Sequence, residues 1–170
     1  MKYLFRVRDH RGFTLVEIIA TLIIVGIIAA VIVSSVSGVT DTDRVSQENV
    51  IKNHIRYAQS IAMKQGTVWG IKCDGADYWL FRTNDPDTPA NQMVLPNEEN
   101  VKVTLANKKV TMTVFTLFFD AIGRPYTAYT DASTNTPVSA ANPLAVTVDS
   151  IPAGSATPAF NVTPETGFIP

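Results

Sequence analysis

Residues 13–39 are almost wholly apolar, and inside that run stands a single ionisable side chain, Glu17. A helix rises ~1.5 Å per residue, so an apolar run of this length is long enough to cross the ~30 Å hydrocarbon core of a bilayer. That leaves little choice for the fold: one long helix must come first, with any globular part after it. Glu17 then needs an explanation. A charge at the middle of a membrane helix costs about 2.5 to 3.5 kcal/mol on insertion scales, and less near an interface, so such a residue normally has a partner and a role. No partner is evident within the run itself. Just before it, a short basic head ends in the junction Arg11-Gly12-Phe13-Thr14-Leu15-Val16-Glu17.

Two ordinary segments share some of these features. A secretory signal peptide would use Lys2, Arg6, Arg8 and Arg11 as its basic region and residues 18–33 as its apolar region, with cleavage near Ser34-Ser35-Val36-Ser37-Gly38. A plain membrane anchor would account for the length and the basic flank. Neither has a use for Glu17 or for the Gly12-Phe13 junction.

The residues Gly12-Phe13-Thr14-Leu15-Val16-Glu17 resemble the processing site of type IV pilins and of type II secretion pseudopilins, the type IV filament superfamily. The resemblance implies that a prepilin peptidase cuts after Gly12 and methylates the new amino terminus on Phe13. It also implies that Glu17 answers the terminal amine of a neighbouring subunit during filament assembly. The chemistry is reasonable, because a buried carboxylate and a buried ammonium are each very costly alone and tolerable as a pair. Implied partners are the prepilin peptidase, other pseudopilins or pilins, an inner-membrane assembly platform and membrane lipid.

Charge agrees with a head held outside the cytoplasm. Residues 1–12 carry Lys2, Arg6, Arg8 and Arg11 against Asp9, and the rest holds ten basic and fourteen acidic residues. Positive charge before the span and acid after it fit the positive-inside rule. The family resemblance then implies the bacterial inner membrane as the location, single-pass, with a periplasmic head incorporated into a periplasmic filament. An acidic mature chain also argues against polybasic capture of nucleic acid, which is not among the expected partners.

The helix should continue past the membrane run. Ile51, Ile55, Ala58 and Ala62 form a helical stripe, while Lys52, Asn53, Arg56, Gln59 and Lys64 mark a wet face, and Gly66 is a stop signal. Residues 13–64 as one helix reach ~78 Å, far more than a bilayer needs, which suits a filament spine. Gly26 costs ~1 kcal/mol relative to alanine and is read as a close-packing site between neighbouring spines. Major pilins often carry a proline about 22 residues into the mature chain. Ser34 stands there instead, a departure that speaks against an abundant major subunit.

After Thr67 the pattern changes to a period of two, rich in β-branched and aromatic residues. The expected architecture is α+β: a long N-terminal spine helix followed by an antiparallel β-sheet head. The divisions are residues 1–12 as leader, 13–39 as transmembrane and filament-core helix, 40–66 as its amphipathic continuation, and 67–170 as periplasmic β head. Residues 67–73 and 77–82 flank Asp74-Gly75 and read as a hairpin. A second hairpin is expected across Asn107-Lys108, between 101–105 and one long strand at 110–119. Further strands are expected at 144–148 and 160–162, with 84–89 and 130–143 as exposed loops.

Within the head, Phe119-Asp120-Ala121-Ile122-Gly123-Arg124-Pro125 resembles the turn motif of H-type minor pseudopilins and FimT-like minor pilins. The stretch Phe160-Asn161-Val162-Thr163-Pro164-Glu165-Thr166-Gly167-Phe168 is similar to their closing strand, and Arg56-Tyr57-Ala58-Gln59-Ser60-Ile61-Ala62 to the end of their spine. Gly123 and Pro125 are read as shaping a β-turn rather than supplying chemistry.

No catalytic constellation emerges, so an enzyme is not expected. His10 lies in the segment to be removed, and His54 has no Cys, Ser or carboxylate partner by spacing. Cys73 is the only cysteine, which forbids the intrachain disulfide many pilins have. Its alternation with Trp69 and Ile71 points to a buried strand face. Asp85 and Asp87 with Asn84 offer oxygen ligands of the kind calcium takes, but without the glycine and glutamate of an EF-hand loop they read as a solvated turn. No metal or cofactor is expected. The sequon at Asn161 is taken as incidental. The function implied is a structural minor subunit of a periplasmic pseudopilus in type II secretion. The alternative is a minor type IV pilin acting in pilus assembly or DNA uptake, for which Lys102, Lys108, Lys109 and Arg124 would be the only phosphate contacts.

Overall fold

A computed structural model of the chain describes residues 14–151 and 159–170; for 30–42 and Ala159 only the backbone is described. Its contacts divide the chain into two units, Met1–Gly38 and Val39–Pro170.

Helix α1 runs in the backbone from Leu15 to Gln65. Thr14 caps its start, with Oγ1 accepting the Glu17 N–H at 3.3 Å, one of the donors a helix N-terminus leaves unpaired. At the other end Gly66 takes φ +65°, and the N–H groups of Gly66 and Thr67 both reach the Ala62 carbonyl. A left-handed residue just past the last turn closes a helix at little cost only when it is glycine. The stripe Ile51, Ile55, Ala58 and Ala62 is fully buried, as its spacing requires.

Ten strands follow among the described residues: β1 Trp69–Cys73, β2 Asp77–Arg82, β3 Gln92–Met93, β4 Lys102–Thr104, β5 Val110–Met112, β6 Phe115–Phe119, β7 Pro125–Tyr129, β8 Asn135–Pro137, β9 Leu144–Ser150 and β10 Ala159–Val162. All the pairings are antiparallel. The larger sheet runs β3-β2-β1-β6-β7-β8, with β4 also on the outer edge of β2; the smaller runs β10-β9-β5. A long helix followed by an antiparallel sheet is the α+β, pilin-like layout.

The expected β1–β2 hairpin is present, with Trp69 opposite Arg82 and Cys73 opposite Tyr78. Its turn is fixed by Asp74, whose Oδ1 accepts the N–H groups of Ala76 and Asp77, and by Gly75 at φ +94°. Those bonds favour the ionised carboxylate and hold Asp74 below the usual range.

The second expected hairpin is not. β4 pairs with β2, a short 3₁₀ turn occupies Leu105–Lys108, and β5 pairs with β9. The stretch expected as one strand at 110–119 is two strands in different sheets, because β6 pairs instead with β1 and β7. Burial changes phase between them: Val110 and Met112 are buried, Val114 is exposed, and then Phe115, Leu117 and Phe119 are buried. A slip of one residue turns every following side chain to the other face, so one flat strand cannot serve both. The loop expected at 130–143 also contains β8, whose three residues pair with β7.

Alternation divides the head's apolar residues between two faces of the large sheet. Trp69, Ile71, Cys73, Tyr78, Leu80, Phe115, Leu117 and Phe119 pack with the α1 stripe and with β5, β9 and β10. Trp79, Phe81, Phe118 and Tyr126 form a separate aromatic cluster on the other face. Phe81 and Phe118 meet edge-to-face at 5.1 Å. Gly70 lies beneath that cluster, and a Cβ there would overlap both the Phe81 ring and the Leu117 carbonyl.

Candidate functional site

Gly12 and Phe13 lie outside the described residues. Glu17 is on the first turn of α1 and exposed, and among the described residues no cation pairs with it. Its backbone, not its carboxylate, makes the cap with Thr14. The carboxylate therefore does no work for the helix beyond favouring its N-terminus electrostatically. Around it the large apolar side chains are all exposed, among them Leu15 at 75 % and Val16 at 73 %, and onward through Ile28. A surface this apolar needs either lipid or other chains against it. Among the described residues no helix is long and apolar enough to cross a membrane; the described side chains of this stretch end at Ala29. Gly26 has open space around it.

The three motifs quoted from the spine end, the turn and the closing strand converge in the head. Gln59 on α1 donates from Nε2 to the Gly123 carbonyl at 2.9 Å and to the Thr166 carbonyl at 2.6 Å. One turn earlier Arg56 donates to the Ile169 carbonyl at 2.8 Å, and Ile169 is fully buried. The helix thus grips the β6–β7 turn and the chain's last residues with one face. The face read as wet does stay open at Asn53, Arg56 and Lys64, but Arg56 and the half-buried Gln59 also use it for docking. Close approach explains both glycines: Gly123 and Gly167 have φ of +82° and +64°, and a Cβ would press on Met63 at the first and on Gln59 and Phe119 at the second.

Asp120 organises the turn from within. Its Oδ1 accepts the N–H groups of Ile122 and Arg124, and its Oδ2 accepts the Tyr126 hydroxyl at 2.9 Å. Gly123 and Pro125 do shape this turn, but the turn's carbonyl is also the anchor point for Gln59.

His54 is not alone, as spacing suggested. It is buried, its Nδ1 3.0 Å from the Tyr78 hydroxyl and its Nε2 3.1 Å from the Pro96 carbonyl. Sequence spacing cannot reveal this, because both partners come from distant strand and loop positions. Burial lowers its pKa, and the Pro96 carbonyl and Glu98 only partly oppose that.

Cys73 is fully buried in the face toward α1, and burial pushes its thiol up to about 11. It is a small apolar side chain here, not a nucleophile. At the 84–89 loop, Asp85 accepts the N–H groups of Asp87 and Thr88 and the Thr88 hydroxyl. Asp87 is bound by Lys72 Nζ at 2.6 and 2.8 Å. Both carboxylates are engaged within the protein, and the ammonium would repel a cation. The loop closes over the aromatic cluster through Trp79 Nε1, which donates to the Pro86 carbonyl at 2.8 Å.

Of the basic residues considered for phosphate binding, Lys108 is paired with Glu98 at 2.9 Å. Lys102 sits 4.3 Å from the centroid of the Trp79 ring.

Comparison with known families finds the prokaryotic N-terminal methylation motif over residues 7–33. Comparison with curated proteins and with solved structures gives no match. The matched segment spans the Gly12-Phe13 junction and Glu17, and it leads into a long helix and an antiparallel head. The motif and this layout together support a type IV pilin-like structural subunit.

Proposed function

We propose that the chain is a minor pseudopilin, cut by prepilin peptidase between Gly12 and Phe13, methylated on Phe13, and assembled into a periplasmic pseudopilus for type II protein secretion. The leader is 1–12, the membrane and filament-core segment 13–39, its continuation 40–66 and the periplasmic head 67–170. Before assembly the subunit is held in the inner membrane by its apolar helix. Glu17 neutralises a neighbour's terminal amine as that helix exchanges lipid for other spines.

The observation that carries the reading is the methylation motif over residues 7–33. Secretion is favoured over DNA uptake by charge. The mature chain is acidic, and of the four basic head residues considered for phosphate contact, Lys108 is held by Glu98 and Lys102 lies on Trp79. Phosphate binding draws its affinity from several such contacts acting together.

In-frame deletion in the native host should lower the secreted fraction of exoproteins while leaving transformation by added DNA unchanged. Restoring the chain should restore secretion. Loss of transformation with normal secretion would favour the DNA-uptake pilin, and submicromolar duplex binding at physiological salt would do the same.

A further inference from the structure

His54 joins three elements that are far apart in sequence. It lies on α1, Tyr78 on β2, and Pro96 in the connection between β3 and β4. The carbonyl of Pro96 can only accept, so Nε2 carries the proton and donates to it. Nδ1 is then the acceptor, and the Tyr78 hydroxyl donates to it. Tyr78 is itself buried, and His54 is the hydroxyl's partner.

We propose that this triad is an acid-operated latch, which holds residues 94–100 against the helix while His54 is neutral and lets them open when the ring takes a second proton. Protonation makes Nδ1 a donor. Tyr78 must then turn its oxygen toward the ring, and its own hydrogen loses its acceptor in a buried place, which is costly. Opening of the connection relieves this by admitting water to the ring.

Besides the Pro96 carbonyl, the segment that would open is attached through the side chains of Leu95 and Glu98. Leu95 is buried, Glu98 N–H reaches the Leu95 carbonyl, and Asn97 takes φ +62°. Glu98 also pairs with Lys108. The charged or titratable groups facing His54 are Tyr78 from β2, Glu98 from the connection and Lys108 from the 3₁₀ turn, with Cys73 of β1 next to Tyr78. Glu98 favours the charged ring and Lys108 opposes it, and because the two are paired with each other, burial decides the balance.

The sign follows from linkage. The closed form has the lower His54 pKa, so the open form binds more protons. The opening equilibrium is flat above the ordinary value of 6.5 and rises as pH falls below it, by at most about tenfold per pH unit for one proton.

The test is amide hydrogen exchange on the full chain in detergent micelles, from about pH 7.5 to about pH 5. After correction for intrinsic exchange, Glu98, whose N–H is held by the Leu95 carbonyl, should lose several-fold protection, while Ile71 in β1 does not. His54→Gln can still donate to Pro96 and accept from Tyr78, and it should remove the pH dependence. The same dependence in His54→Gln would overturn the proposal. If that variant does not fold, ring titration of the unaltered chain by NMR decides: a His54 pKa below 6.5 with opening that tracks it supports the latch, and one at or above 6.5 refutes it.

Discussion

Replacing Gln59 tests whether the spine helix grips the head's turn and tail through this one amide. Gln59→Ala leaves the carbonyls of Gly123 and Thr166 without their donor. An ordinary hydrogen bond contributes about 0.5 to 1.5 kcal/mol net, and the exposed Thr166 carbonyl regains water, so the loss should be about 1 to 2 kcal/mol. For a unit of this size that is roughly 3 to 8 °C in Tm. Gln59→Glu is the sharper variant, because it keeps the volume but directs a carboxylate at two carbonyl oxygens. At neutral pH it should be less stable than Gln59→Ala. Protonation restores one donor, so a Glu whose pKa is raised by that environment should regain stability as pH falls toward about 5. Urea denaturation of residues 39–170, followed by the fluorescence of Trp69 and Trp79, reads all three proteins. A Gln59→Ala variant within about 0.3 kcal/mol of the parent, or equal stability of the Glu and Ala variants at neutral pH, would refute the grip.

Gly12→Val should leave uncut precursor, because a side chain at that position obstructs the peptidase; mass spectrometry of the normal mature chain should begin at methylated Phe13, and a start after Ser37 or Gly38 would sink the filament reading. Glu17→Val keeps the Thr14 cap, which uses only the Glu17 backbone N–H. Cleavage and membrane insertion should therefore survive while crosslinking to other subunits and secretion fall, and normal levels of both would count against the assigned role. With its thiol raised to about 11 and fully buried, Cys73 should react with iodoacetamide at neutral pH many-fold more slowly than the denatured chain does. Fast alkylation of the native protein would show the strand face to be open.

Local pattern was a sound guide wherever one element's neighbours in sequence also decide its environment. The stripe from Ile51 to Ala62 and the turn at Asp74-Gly75 are of this kind: a helix face and a two-stranded turn are specified within a few residues. The strand pairings of the smaller sheet are not. β5 has three residues and gains its place only by pairing with β9, Val110 opposite Ser150, across a long stretch of chain. Nothing within residues 101–119 announces that partner, so a local hairpin looked sufficient. One signal was nevertheless present, since the apolar phase of Val110 and Met112 gives way to that of Phe115, Leu117 and Phe119. A break in alternation is the mark of a strand ending.

The polar residues of α1 expose the deeper limit. On a helical wheel Arg56 and Gln59 are indistinguishable from solvated side chains, and His54 from a stray one. Their roles come from carbonyls offered by Ile169, Gly123, Thr166 and Pro96, and a backbone acceptor leaves no trace in side-chain chemistry. Only the glycines hinted at it, because Gly123 and Gly167 occupy left-handed positions pressed against Met63 and Gln59 of the helix. Glu17 is the opposite case. The sequence makes it conspicuous, yet within one chain it has no cation beside it among the described residues, and its helix cap does not use its carboxylate. A charge that costs energy in an apolar run and makes no such pairing among the described residues is what an intermolecular partner would account for. Its meaning, on the proposed reading, exists only in the assembled filament.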